Sequence, residues 1–246
     1  MADSVPLAVI VLTFLFAGFV KGVVGFGLPS VALAVLTAVI GLHPAMALLL
    51  MPSLMTNLWQ ACQGGHFRKI LRRVWPFLLV ATLTVWVGAQ ALRRVDVWVL
   101  SALLGVLLVA YALVGLRGPR IRIRPAWEMW AGPLLGAVNG VLTGLTGSFV
   151  FPGVLYLQAI GLPRDSLVQA MGLLFTTSTI GLTLALGSQE LLTAQLGLLS
   201  AAGVVPAVVG MMLGQKVRHR IAEGHFRQVF LMALLLLGLY IVFTSF

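Results

Sequence analysis

Residues 18–29 read Gly18-Phe19-Val20-Lys21-Gly22-Val23-Val24-Gly25-Phe26-Gly27-Leu28-Pro29. One apolar stretch, Val5 to Val20, runs into this segment and another, Leu28 to Ile40, runs out of it. Glycine lets the backbone leave helical geometry, and proline lacks a donor N–H and suits the first turn of a new helix. The segment therefore predicts a helix that stops inside an apolar region and restarts. A helix starting there presents unpaired N–H groups and a partial positive charge, which favours an anion.

The rest of the chain has the same apolar character. Apolar residues make up 60% of the 246 positions and charged residues 9%, against about 25% charged in a soluble domain. A spanning helix needs about 20 apolar residues, so the chain holds about eight to ten membrane segments. The further stretches are Pro44 to Ala61, Val74 to Leu92, Val97 to Leu116, Trp127 to Leu142, Phe149 to Ile160, Ser166 to Leu186, Leu191 to Leu213 and Phe226 to Phe246. The second and seventh are short for full spans: each is either a short crossing or a half-helix that enters and returns with its predecessor. The expected fold is all-α: a polytopic transmembrane helical bundle forming one membrane domain over residues 1–246. The residues before the first stretch lack a basic region, so no cleavable signal peptide is expected there and the first stretch is expected to stay as a span.

The glycine segment has a counterpart. Gly18-x3-Gly22-x2-Gly25 matches Gly140-x3-Gly144-x2-Gly147, Gly41-Leu42 matches Gly161-Leu162, Met51 and Thr56 match Met171 and Thr176, and Gly88 matches Gly214. This divides the chain into repeat one (5–116), a basic linker (117–126) and repeat two (127–246). Each repeat holds an odd number of segments, so the two are predicted to be inverted, an arrangement that points to a transporter site.

Charge placement supports this topology. With the N-terminus outside, the basic groups from His66 to Arg73, from Arg117 to Arg124, at Arg164 and from Lys216 to Arg227 all fall inside. Arg93, Arg94 and Glu190 fall outside. The positive-inside rule thus explains the net charge of +10 without nucleic acid. Both termini are predicted on the periplasmic side of a bacterial inner membrane.

The candidate site residues follow from these breaks. Gly22, Gly25 and Gly27 come from the first, with Lys21 as a cation beside it. Asn139, Gly140, Thr143, Gly144, Thr146, Gly147 and Ser148 come from the second. Asn57 and Gln60 share one helix face at i and i+3, and Gln169, Thr176 and Thr177 lie on the matching helix. Amides in hydrocarbon are costly and should face an interior cavity. The plain alternatives are glycine packing between helices, a snorkelling lysine and structural interhelix hydrogen bonds.

All six acids, Asp3, Asp96, Glu128, Asp165, Glu190 and Glu223, lie near segment ends or in gaps. A carboxylate relay or metal cage inside the membrane is therefore not expected. The lone Cys62 can form no intrachain disulfide, and no catalytic motif or cofactor signature is present.

Taken together, the Gly18–Pro29 run, the Gly136-Ala137-Val138-Asn139-Gly140 to Gly147 run and the tail Gly210-Met211-Met212-Leu213-Gly214-Gln215-Lys216 with Phe226-Arg227 resemble the sulfite exporter TauE/SafE family of the toluene sulfonate uptake permease superfamily. The resemblance covers nearly the whole chain. It implies a secondary carrier of sulfite, sulfoacetate or a related organosulfonate, often in export, and not an enzyme. Where many relatives have three consecutive glycines, this chain has Gly25-Phe26-Gly27 and Gly147-Ser148-Phe149, so Phe26 and Phe149 are candidates to narrow the pocket. The expected partners are a small anion and the lipid bilayer, with a proton or sodium ion as candidate coupling ion and a homodimer as candidate assembly. The rival readings are a passive anion channel, a non-transporting subunit of a sulfur-metabolism complex and, last, an intramembrane enzyme.

Overall fold

The structure is a computed structural model describing residues 7–118, 122–218 and 223–246. Asp3, part of the basic linker (119–121) and His219 and Arg220 lie outside the described residues, as does the Glu223 side chain.

The described residues are helical throughout, with no strand: α1 (Leu7–Val24), α2 (Leu28–Ile40), α3 (Leu42–Leu48), α4 (Leu50–Cys62), α5 (Phe67–Gln90), α6 (Val97–Arg117), α7 (Pro125–Thr146), α8 (Gly153–Ala159), α9 (Arg164–Ser188), α10 (Ala194–Ala202), α11 (Val204–Arg218) and α12 (Glu223–Thr244). Six spans are long and apolar enough to cross a membrane: α1, α5 with the short turn that follows it, α6, α9, α10 joined to α11, and α12. The bent pair α3–α4 makes a seventh. α7 is long enough at 22 residues, but glycines, threonines and Asn139 hold its hydropathy below theirs. At 1.5 Å per residue α2 and α8 reach only about 20 and 10 Å, short of a hydrocarbon core about 30 Å thick. Each follows a helix that stops inside the protein, as the short stretches predict.

Pro44 to Ala61 reads as one stretch but is bent by 43° at Leu49, between α3 and α4. Pro52 lacks the N–H that would bond Leu48 O, which leaves that carbonyl free. Ser200 of α10 fills the gap: its Oγ donates to Leu48 O (2.8 Å) and accepts from Met51 N (3.0 Å).

Glycine sets the helix pairing. A Cβ on Gly18 or Gly22 of α1 would stand 2.1 or 2.2 Å from the carbonyl oxygens of Ala207 and Met211 on α11. On α7, one on Gly140 or Gly144 would meet Ala81 O and Val85 O of α5, both at 2.1 Å. α1 therefore lies backbone to backbone on α11, and α7 on α5. Contacts advance in the same direction along both partners, so each pair is parallel. α4 packs on α9 and α6 on α12 with the opposite sense.

The outer surface is apolar. Phe16, Leu83, Leu134, Leu198 and Phe243 are exposed, as are all six tryptophans, which suits lipid contact with aromatic belts at both interfaces. The interior is organised around α9, most of whose length is buried. Arg73 at the start of α5 pairs with Glu128 at the start of α7 (2.7 Å) and donates to Ile160 O after α8 (2.7 Å). Arg93 pairs with Glu190 at the other end (3.5 Å), and Phe246 stacks on Trp98 at that same end.

Candidate functional site

Both predicted interruptions exist. Gly25 (φ +90°) follows the end of α1, and Gly27 (φ +110°) caps α2, with Pro29 in its first turn. Gly147 (φ +74°) ends α7. These are left-handed conformations that a side chain disfavours. Gly22, Gly140 and Gly144 are different: they sit inside unbroken helices and serve as close-packing surfaces.

The breaks do not face each other. Gly25 abuts Val168, about one turn into α9, whereas Gly147 abuts Met46 of α3 and Leu33 of α2. The starts of α9 and α3 lie at opposite ends of the bundle, so a site held between two opposed glycine breaks is not what the fold builds. The N-terminus of α8 is also already occupied: Asn139 Oδ1 accepts the Gly153 N–H at 2.9 Å. The physical reason is the depth at which α1 and α7 stop, which their glycine-packed partners fix and periodicity does not encode.

Polar side chains lie instead near the depth of the middle of α9. Lys21 is 3% exposed, so it does not snorkel. Its Nζ donates to Thr56 Oγ1 (3.1 Å) and to Asn57 Oδ1, both on α4. Thr56 in turn donates to Pro52 O (2.7 Å). No carboxylate pairs with Lys21 among the described residues.

Several buried polar atoms near this level have no hydrogen-bond partner: Asn57 Nδ2, Asn139 Nδ2, Ser53 Oγ and Ser178 Oγ. Gly153 touches both Asn139 and Leu174, which puts Asn139 level with the central turns of α9. Gly172 abuts Ala61. One turn further along these antiparallel helices, Asn57 comes level with about Thr176. Buried polar groups are nearly always satisfied in folded proteins, so a group of unspent donors at one depth points to a ligand. Ser53 was not singled out from the sequence, though Ser53, Asn57 and Gln60 stand at i, i+4 and i+7 on one face of α4, a spacing that could have found it.

The other predicted residues are spent locally. Thr143 Oγ1 donates to Ser148 O (3.1 Å), Thr146 Oγ1 donates to Leu142 O (2.7 Å) and accepts from Ser148 N (3.2 Å). Thr176 and Thr177 donate to carbonyls of their own helix, Gly172 O and Leu174 O. Phe26 packs edge-on against Tyr111 and Phe230, and Phe149 lies against Phe175.

Gln60 and Gln169 form reciprocal latches between α4 and α9. Gln60 Nε2 donates to Val168 O (2.6 Å), and Gln169 Nε2 donates to Ala61 O (2.9 Å) while its Oε1 accepts from His66 N (3.1 Å). Side-chain hydrogen bonds between membrane helices average about 0.6 kcal/mol. Gln169→Leu, which loses two bonds, is therefore expected to lower thermal stability in detergent about twice as much as Gln60→Leu. Equal shifts in melting temperature would contradict the latch.

The chain matches the model of the sulfite exporter TauE/SafE family over residues 10–241. It belongs to that family. No curated protein and no solved structure matches it. Family membership agrees with the apolar spans: this TauE/SafE protein is a multi-pass membrane protein of a family of sulfur-anion transporters rather than enzymes. Around Lys21 this TauE/SafE chain offers hydrogen-bond donors and one basic nitrogen, groups able to hold an oxyanion.

Proposed function

We propose that this chain is a secondary carrier that exports sulfite, sulfoacetate or a related organosulfonate across a bacterial inner membrane by alternating access. The carrying observation is a buried lysine without a carboxylate, next to unpartnered amide and hydroxyl groups at mid-bundle. Lys21 supplies positive charge, and Asn57 and Asn139 supply N–H donors to the substrate oxygens. Charge-assisted hydrogen bonds of this kind are about twice as strong as neutral ones.

Two inverted repeats would provide the moving halves. Supporting this, the glycine-packed pairs exchange under the proposed symmetry: α1 on α11 corresponds to α7 on α5. The end bearing His66, Lys69, Arg73 and Arg164 would face the cytoplasm, by the positive-inside rule. The opposite end, with Phe246 beside Trp98, would then be periplasmic.

The test is flux in proteoliposomes loaded with labelled sulfite or sulfoacetate. A carrier shows saturation and acceleration by unlabelled substrate on the far side, whereas ohmic currents would replace the reading with a pore. Asn139→Asp keeps the oxygen that caps Gly153 and removes the free N–H groups. It is expected to cut flux at least about tenfold, the worth of one hydrogen bond to a charged group. Undiminished flux through folded Asn139→Asp would take Asn139 out of the site.

A further inference from the structure

Lys21 carries more information than its charge. Its Nζ makes two hydrogen bonds, and both partners act as acceptors toward it: Thr56 Oγ1, whose own hydrogen goes to Pro52 O, and the amide oxygen of Asn57. A neutral amine has two hydrogens and one lone pair, whereas an ammonium has three hydrogens and no acceptor. Two acceptors at a buried Nζ match the two hydrogens of a neutral amine. They leave an ammonium with one unspent N–H and an unbalanced charge, a combination that costs several kcal/mol inside a protein.

Among the described residues no carboxylate pairs with Lys21. Against α1 pack α2, α11 and α12, and Lys21 itself reaches α4. α2 carries no titratable residue; α4 carries Cys62, α11 carries Lys216 and Arg218, and α12 carries Glu223, His225, Arg227 and Tyr240. Arg164 and Asp165 lie beyond Val168 at the start of α9. Apart from Arg227 and Tyr240, each the fifth residue from an end of α12, all of these lie within the first or last turns of their helices, and the hydrogen bonds of Lys21 go to Thr56 and Asn57 alone.

Resting on the proposed anion site, we propose that Lys21 is the proton-coupling residue: each anion binds together with one proton taken up at Lys21 Nζ. The proton comes from water on the loading side and adds to the amine lone pair. The resulting ammonium keeps its bonds to Thr56 and Asn57 and directs its third N–H at the anion. The anion and the ammonium cross together, and departure of the anion on the far side releases the proton there. One proton moves with each anion in the same direction, and the charge buried during crossing falls by one unit.

The experiment is calorimetric binding of sulfoacetate to the detergent-solubilised full-length protein in buffers of different ionisation enthalpy. Both acid groups of sulfoacetate are ionised near neutral pH, so a proton taken up belongs to the protein. The wild type is expected to take up close to one proton per anion at alkaline pH, with affinity falling about tenfold per pH unit in that limit. Lys21→Arg, which keeps a permanent charge, is expected to bind with no proton uptake and no such pH dependence. Lys21→Met is expected to take up none and bind weakly. Binding by the wild type without proton uptake, or uptake in Lys21→Arg equal to wild type, overturns the coupling role and leaves the anion site standing. A wild type that binds neither sulfoacetate nor sulfite overturns both.

Discussion

Gly144→Leu is expected to leave little folded protein to recover from membranes. A Cβ at this position would stand 2.1 Å from Val85 O, 2.6 Å from Ala89 N and 2.8 Å from Gly88 Cα. All three are backbone atoms of α5, so no rotamer change relieves the clash and the two helices must part. Overpacking a well-filled core costs about 1–3 kcal/mol when side chains can move, and here the backbone must move along the whole α5–α7 seam. In lipid, close packing is itself the main force between helices. The control is Gly197→Leu on α10, where a Cβ meets nothing within 4 Å. Size-exclusion profiles in mild detergent should show a sharp peak for the control and aggregate or loss for Gly144→Leu. A monodisperse Gly144→Leu with an unchanged melting temperature would mean the helices are not this close.

Asn57→Asp is expected to fold and to transport almost nothing. The substitution is close to isosteric and puts a carboxylate oxygen where Asn57 Oδ1 now accepts from Lys21. It would create the intramembrane ion pair that the described residues lack, and so would neutralise the lysine permanently. The incoming anion would then meet a fixed negative charge with no free cation. Losing a buried charge partner is worth about 3–5 kcal/mol, which is at least about a hundredfold in affinity. Flux assays on protein whose melting temperature equals or exceeds wild type would separate this from misfolding. Near-normal flux in Asn57→Asp would remove Lys21 and Asn57 from the substrate path together.

Some of this was legible early because it depends on local chemistry. The break after α1 could be read from Gly25, Gly27 and Pro29, since positive φ and a missing N–H are properties of those residues themselves. The buried amides could be read as interior groups, because hydrocarbon leaves Asn57 and Gln60 nowhere else to go. The bend at Leu49 was not legible: Pro52 hints at it, but Ser200, which stabilises it, lies 148 residues later in the chain. The division among glycines was also hidden. Gly22 and Gly25 look alike in the chain, yet one packs against Met211 O and the other turns the backbone.

Composition and spacing alone thus determined a membrane bundle, its short interrupted segments, the ends where charge collects and the residue types available to an anion. They could do so because the bilayer constrains each segment separately, by length, apolarity and internal hydrogen bonding. Only the tertiary structure decided that the two breaks lie toward opposite ends, that Gln60 and Gln169 are latches, and that Lys21 meets Thr56 and Asn57 across 35 and 36 residues of chain. Those outcomes depend on which helices can approach closely, and that is settled where two glycine surfaces meet.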